Sequence, residues 1–148
     1  MTRIASSLRK LTDFPPEMGF WLQLGLRTRP DKTLLGDVAI HTLEQANTYE
    51  LGVTLAAESQ SRGIATEALQ ALLTVLFIEF DAHRVVAFCD TRNQRVASLL
   101  RRLGMRQESR QLEAEYLKGE WTTVDGYALL AGEHRSSRRG NGDLPVGP

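Results

Sequence analysis

The stretch Gln60-Ser61-Arg62-Gly63-Ile64-Ala65-Thr66-Glu67-Ala68 sits between a strand-like segment, Tyr49 to Leu55, and a helix-like segment, Ile64 to Phe80. The first turn of a helix carries backbone N–H groups without intrahelical partners and the positive end of the dipole. A glycine there lets backbone approach a ligand closely. Such a turn is a natural cradle for a pyrophosphate. It is not a nucleotide P-loop, because no Gly-Lys-Ser/Thr ending follows. It lacks the three spaced glycines of the dinucleotide fingerprint. The simpler reading is that Ser61 and Gly63 merely begin a helix.

Downstream, Ala68, Leu72, Val75, Leu76 and Phe80 recur three and four apart, which predicts a helix over Ile64–Phe80. Arg84 to Cys89 is short and nearly all apolar, the pattern of a strand buried on both faces. Asn93 to Leu103 predicts a second helix, stopped by Gly104. Met105–Tyr116 and Trp121–Leu130 flank Lys118-Gly119-Glu120 and predict a closing hairpin. Upstream, Trp21–Arg27, Leu34–Leu43 and Tyr49–Leu55 read as an antiparallel meander with turns at Arg29–Lys32 and Gln45–Asn47. Ile4, Leu8 and Leu11 have helical spacing, and Phe14-Pro15-Pro16 ends that helix. From His134 the chain has too few apolar residues to pack, which predicts a disordered tail over 134–148. The order is α+β around one mixed sheet, a single domain over 1–133.

A chain of 148 residues, 42% hydrophobic and 24% charged, has the composition of an ordinary globular domain and needs no disulfide or metal staple. Eighteen basic and eighteen acidic residues cancel, so no global field argues for a nucleic-acid or membrane partner. The single cysteine, Cys89, forms no internal disulfide and, mid-strand among apolar residues, reads as an inert buried thiol. The polar N-terminus does not resemble a secretory signal, and no apolar run approaches the ~20 residues that span a bilayer. A soluble cytoplasmic protein is the expectation. His41, His83 and His134 lack metal-ligand spacing, so no metal is assigned. Trp21 and Trp121 are expected in the core or in the wall of a binding site.

Gln60, Gly63 and Ala65, continued by Thr66-Glu67-Ala68-Leu69, resemble the acetyl-CoA loop of the GNAT superfamily of N-acetyltransferases. Other segments agree in order and spacing. Leu34-Leu35-Gly36-Asp37 and Tyr49-Glu50-Leu51-Gly52 resemble two of its strands, and His83-Arg84-Val85-Val86-Ala87 the strand after the loop helix. Asn93 with Leu103-Gly104-Met105 resembles the Asn…Leu-Gly-Phe motif. Lys118-Gly119-Glu120-Trp121 with Tyr127-Ala128-Leu129-Leu130 resembles the hairpin of the RimJ/RimL branch. The resemblance spans about Trp21 to Glu133.

It implies a GNAT-like splayed central sheet, with the strands at Glu50 and Arg84 parting like a V around a pantetheine arm. Backbone of Thr54, Leu55 and Ala56 would bond the arm and polarise the thioester carbonyl. The loop Gln60, Ser61, Arg62, Gly63, Ile64, Ala65 and Thr66 would hold the pyrophosphate, and Asn93 would touch the cofactor. The implied reaction moves an acetyl group directly from acetyl-CoA to a primary amine, a protein N-terminus or a small molecule, in a ternary complex. Glu50 is the candidate base, because a protonated amine must lose a proton before it attacks. The plainer reading makes Glu50 a solvated strand residue or a partner of Arg84 or Arg95.

The chain departs from the family at several positions. Leu100 stands where many members carry a tyrosine acid, and Val96 where the RimJ/RimL branch often has serine. Neither donates a proton. Ser98, two residues along the same helix, is expected to face elsewhere. Ser61 replaces a frequent loop glycine and Thr123 a frequent hairpin aspartate. The segment before Ile4 does not match the family's opening strand and helix. Two alternatives accompany the enzyme reading. One is a non-catalytic CoA-binding module. The other is an RNA- or ribosome-binding protein that uses an excess of five positive charges over Arg84–Arg110. A homodimer is compatible with the sequence.

Overall fold

Apolar and polar residues alternate in Trp21–Arg27 and around Val38 and Ile40, so each segment has one face to hide and pairs as a strand. The computed structural model describes residues 14–27, 34–55 and 62–142. β1 (Trp21–Arg27), β2 (Leu34–Thr42) and β3 (Thr48–Leu55) form an antiparallel meander. A helix, α1 (Arg62–Thr74), and a π-helical turn at Val75–Glu79 lead to β4 (Arg84–Asp90), which lies parallel to β3. α2 (Gln94–Arg102), β5 (Arg106–Leu117), β6 (Glu120–Leu130) and α3 (Ala131–Gly142) complete the chain. The sheet has six strands in the order β1-β2-β3-β4-β6-β5. The expected helix at Ile4–Leu11, the turn at Arg29–Lys32 and the residues beyond Gly142 lie outside the described residues.

Two of these elements differ from the expectation. The long helix widens into a π-turn, closed by Phe80 N–H donating to the Val75 carbonyl (3.2 Å). The wider turn buries Val75, Leu76 and Phe77 consecutively, which an α-helical stripe does not do. The predicted disordered tail is in fact helical through Gly142. Glu133 accounts for its start: its carboxylate accepts from Leu130 N–H (3.0 Å) and from Arg106 Nε (3.0 Å). This is the reach-back of a capping box. His134 then anchors the helix, buried and stacked on Phe77 with ring centroids 4.6 Å apart.

The hairpin turn is the two-residue Lys118-Gly119, both at positive φ (51° and 80°). Such turns match the twist of the flanking strands. At the start of β4, the Arg84 guanidinium grips the Glu108 carboxylate of β5, which also takes Arg106 (3.0 Å). These two cations, Arg84 foremost, hold the Glu108 carboxyl down to about 2.

The sheet has two unlike faces. Val38, Ile40, Tyr49, Leu51, Val85, Ala87, Tyr127 and Leu129 join one core cluster with leucines 69, 72, 73 and 76 of the first helix and 99, 100 and 103 of the second. Both helices therefore cover the same face. Trp21, Ala39, His41, Glu50, Gly52, Val86 and Phe88 fall on the opposite one, by the two-residue period of strands.

β2 and β3 approach closely at Gly36. A Cβ built there would lie 2.1 Å from the Thr54 carbonyl oxygen. Gly36→Ala must push β2 off β3, and we expect a loss of about 3 kcal/mol in stability. Urea unfolding of the variant checks this; an unchanged midpoint would contradict the close approach.

Candidate functional site

β3 and β4 are paired only from Thr48↔Arg84 to Leu51↔Ala87. Beyond that point β3 stays with β2 as far as Leu55, and β4 stays with β6 as far as Asp90. The strands therefore part, and each turns an edge of unpaired backbone toward the gap. On the helical face the gap widens into a cleft of roughly 230 Å³. Leu55 supplies one wall, Ala65 and Thr66 of α1 a second, and Arg95, Ser98 and Arg102 of α2 a third.

The first turn of α1 contains no acidic residue. A Cβ added at Gly63 would meet nothing within 4 Å, so the helix start is open to a ligand. Backbone N–H groups, the positive dipole end and two arginines converge on one side of this cleft. That donor set suits a phosphate-bearing ligand with a narrow arm.

The structure brings Thr54, Leu55, Gly63, Ala65 and Thr66 around or beside the gap, and places Arg62 and Ile64 in the same helical turn. Ala56, Gln60 and Ser61 lie outside the described residues. Asn93 caps α2: its Oδ1 accepts from Val96 N–H at 3.2 Å. Val96 and Leu100 are buried in the core. The expectation that Ser98 faces elsewhere needs correcting, because Ser98 faces the cleft. Val96 and Leu100 point into the sheet, so the other stripe of α2, through Arg95, Ser98 and Arg102, meets the gap. Spacing from Asn93 alone did not reveal which stripe that was.

Glu50 lies on the opposite face, whereas Arg95 lines the cleft on the helical one. Arg84 is engaged by Glu108. Glu50 faces His41 across the β2–β3 register, with Oε1 3.7 Å from His41 Nδ1. His41 in turn stacks on Trp21, ring centroids 4.4 Å apart. Trp21 is half exposed, not core, and Trp121 is exposed on the hairpin against Tyr116. The contact of His41 with Glu50 was not foreseen, because only strand register joins them.

The arginine-rich segment is mostly internal structure. Arg84, Arg92, Arg106 and Arg110 each bond a carboxylate. Cys89 is buried, and burial first, then Asp125 and Asp90, pushes its thiol up. Among the described residues no cluster of His, Cys, Asp and Glu could hold a metal.

The Acetyltransferase (GNAT) domain model matches residues 3–106. The chain belongs to the GNAT acetyltransferase family. It is 30% identical over 105 residues to a protein of Bacillus subtilis (strain 168) named uncharacterized N-acetyltransferase YnaD, covering 71% of this chain and 62% of YnaD. It thus spans less than two thirds of that relative. A GNAT-family acetyltransferase from Bacillus anthracis superposes with a TM-score of 0.67 at 27% identity, covering 74% of this chain and 66% of that one. The spermidine N-acetyltransferase SpeG of Vibrio cholerae (F149A mutant) gives a TM-score of 0.67 at 19% identity, over 78% and 70% of the chains, a likeness of fold. The GNAT sheet with its parted strands is the frame on which the cleft is built.

The start of α2 within this GNAT frame hangs on Asp125. This nearly buried carboxylate accepts from Thr91 Oγ1 (2.9 Å) and from Arg110 Nε (2.7 Å) and Nη2 (3.1 Å). Arg110 above all holds its carboxyl below the usual aspartate value of 3.8. A depressed carboxylate stabilises the fold fully above that value and loses the contribution as pH falls below it. We expect Asp125→Ala to cost about 2 kcal/mol, by removing charge-assisted hydrogen bonds and leaving Thr91 unmatched. Melting from pH 5 to pH 3 should lower the wild-type Tm more than that of Asp125→Asn. Equal slopes in calorimetry would refute the assignment.

Proposed function

We propose that the chain transfers an acetyl group from acetyl-CoA to a primary amine, by direct attack within a ternary complex, in the manner of RimJ/RimL-type enzymes. The observation that supports this most is the parting of β3 and β4 beside the open N-terminus of α1. When bound, acetyl-CoA supplies an activated thioester carbonyl. The protein's own groups do the rest. Backbone N–H groups from Arg62 to Thr66 hold the pyrophosphate, and Arg95 and Arg102 add positive charge along the cleft. The free β3 edge at Thr54 and Leu55, together with the backbone of Ala56, bonds the arm and stabilises the developing oxyanion. Gln60 and Ser61 complete the loop. Asn93, whose Oδ1 is used in capping, offers its amide N–H to the arm. Ser98 offers a hydroxyl from the cleft wall.

Glu50 accepts the proton of the incoming ammonium, so that a lone pair becomes available for attack. A protein N-terminus or a small-molecule amine both meet this requirement. A cytoplasmic setting fits the single buried cysteine.

Acetyl-CoA should bind saturably in calorimetry, and absence of heat and of any thermal shift would sink the proposal. Gly63 has open space before it, so Gly63→Asp adds a carboxylate without a clash. It should abolish acetyl-CoA binding through repulsion of the pyrophosphate, while the melting temperature stays close to wild type. Retained affinity would move the cradle elsewhere. Release of free CoA above hydrolysis in an amine panel separates the enzyme from a CoA-binding module. There Glu50→Gln should lower kcat by about 10²-fold or more, the typical loss of a general base.

A further inference from the structure

Most arginines between Arg84 and Arg110 are matched within the fold. Arg84 meets Glu108, Arg92 meets Asp90 and Glu120, Arg106 meets Glu108 and Glu133, and Arg110 meets Asp125. Arg101 donates to the Tyr127 hydroxyl at 3.4 Å. Arg102 differs. It is exposed and lines the cleft, and among the described residues it pairs with no carboxylate. The chain as a whole has equal numbers of acidic and basic residues. An unmatched guanidinium on a cavity wall in such a chain is a place for an anion that arrives with a ligand. The last turn of α2 favours a cation through the helix dipole, and Arg101 and Arg102 both lie in it. The dipole asks for positive charge in that turn, but not for its placement on the cleft side.

Position along the cleft separates Arg102 from the pyrophosphate cradle. β3 and β4 run parallel and each is followed by a helix, so α1 and α2 both begin at the end of the sheet where the gap opens. Ala65, Thr66 and Arg95 line the cleft near those two helix starts. Arg102 stands seven residues beyond Arg95 on the same stripe, about 10 Å further along α2. One cleft therefore has two cationic stations, one at the helix starts and one at the far end of its α2 wall. CoA carries two separate anionic groups, a pyrophosphate and a phosphomonoester on the ribose 3′ oxygen. A guanidinium suits a phosphomonoester because its fork offers two parallel N–H donors.

We infer that Arg102 takes the ribose 3′-phosphate and so sets the selectivity of the cleft for CoA over 3′-dephospho-CoA. This assignment rests on the acetyl-CoA reading of the cleft, and affinity tests it without turnover.

Calorimetry on the full chain compares CoA with 3′-dephospho-CoA. CoA should bind about tenfold more tightly, the difference expected of one charge-assisted pair at a solvated site. Arg102→Gln should bring that ratio to within about twofold of one. Arg102→Lys, which keeps the charge but not the fork, should restore part of it. Arg95→Gln should weaken both ligands alike and keep the ratio, because both carry the pyrophosphate. Equal affinities in the wild type would overturn the assignment. So would an undiminished ratio in Arg102→Gln, even with a lowered Tm, since a merely structural arginine would behave that way. A ratio that collapses in Arg95→Gln instead would also overturn it. The two readings fail differently. No heat with either ligand defeats the acetyl-CoA reading and this assignment with it, whereas equal binding of both leaves that reading standing and defeats this one alone.

Discussion

Four residue pairs hold β3 to β4, and then the pairing stops. The site depends on that stop. Both strands continue, each keeping its other neighbour, so the gap opens without unravelling the sheet. The exposed edges leave backbone donors and acceptors that a ligand or water must satisfy, because an unmet backbone group inside a protein is costly. The close approach of Gly36 to Thr54 matters for the same reason. It pins β3 to β2 where β3 loses its partner on the other side.

The parting also joins two environments that the sheet otherwise keeps apart. On one face lie helix N-terminal N–H groups and cationic side chains, suited to a phosphate-bearing donor. On the other lie the Glu50 carboxylate, His41 and the exposed Trp21 and Phe88 rings. A thioester threaded through the gap would be reached from the far side. In the proposed reaction the two reactants would then not compete for the same surface.

The strands, both central helices and the hairpin were legible in the sequence, because each carries a clean period and a turn residue with a steric reason, such as Gly104 or Gly119. The helix start at Gly63 was legible for the same reason. The C-terminal helix was not. Composition averages over residues, whereas Glu133 and His134 act singly, one as a cap and one as a buried anchor. Nor could the sequence pair His41 with Glu50, since strand register is a tertiary fact. Ser98 was misread because helical spacing gives the angle between side chains but not which stripe meets the sheet.

The missing acid bears on how the two proton transfers are weighted. Val96 and Leu100 fill the core, where a hydroxyl would need a partner, so those two positions supply no donor, and the hydroxyl that α2 turns to the cleft is that of Ser98. A departing thiol ionises near ~8.5, whereas an alkylammonium holds its proton to about 10.4. The thiolate can leave without help near neutral pH, but the amine cannot attack until its proton is taken. A site can forgo the acid and lose little, and it cannot forgo the base. Val96 and Leu100 are given over to packing, while Glu50 stands part-exposed with His41 Nδ1 3.7 Å from its Oε1.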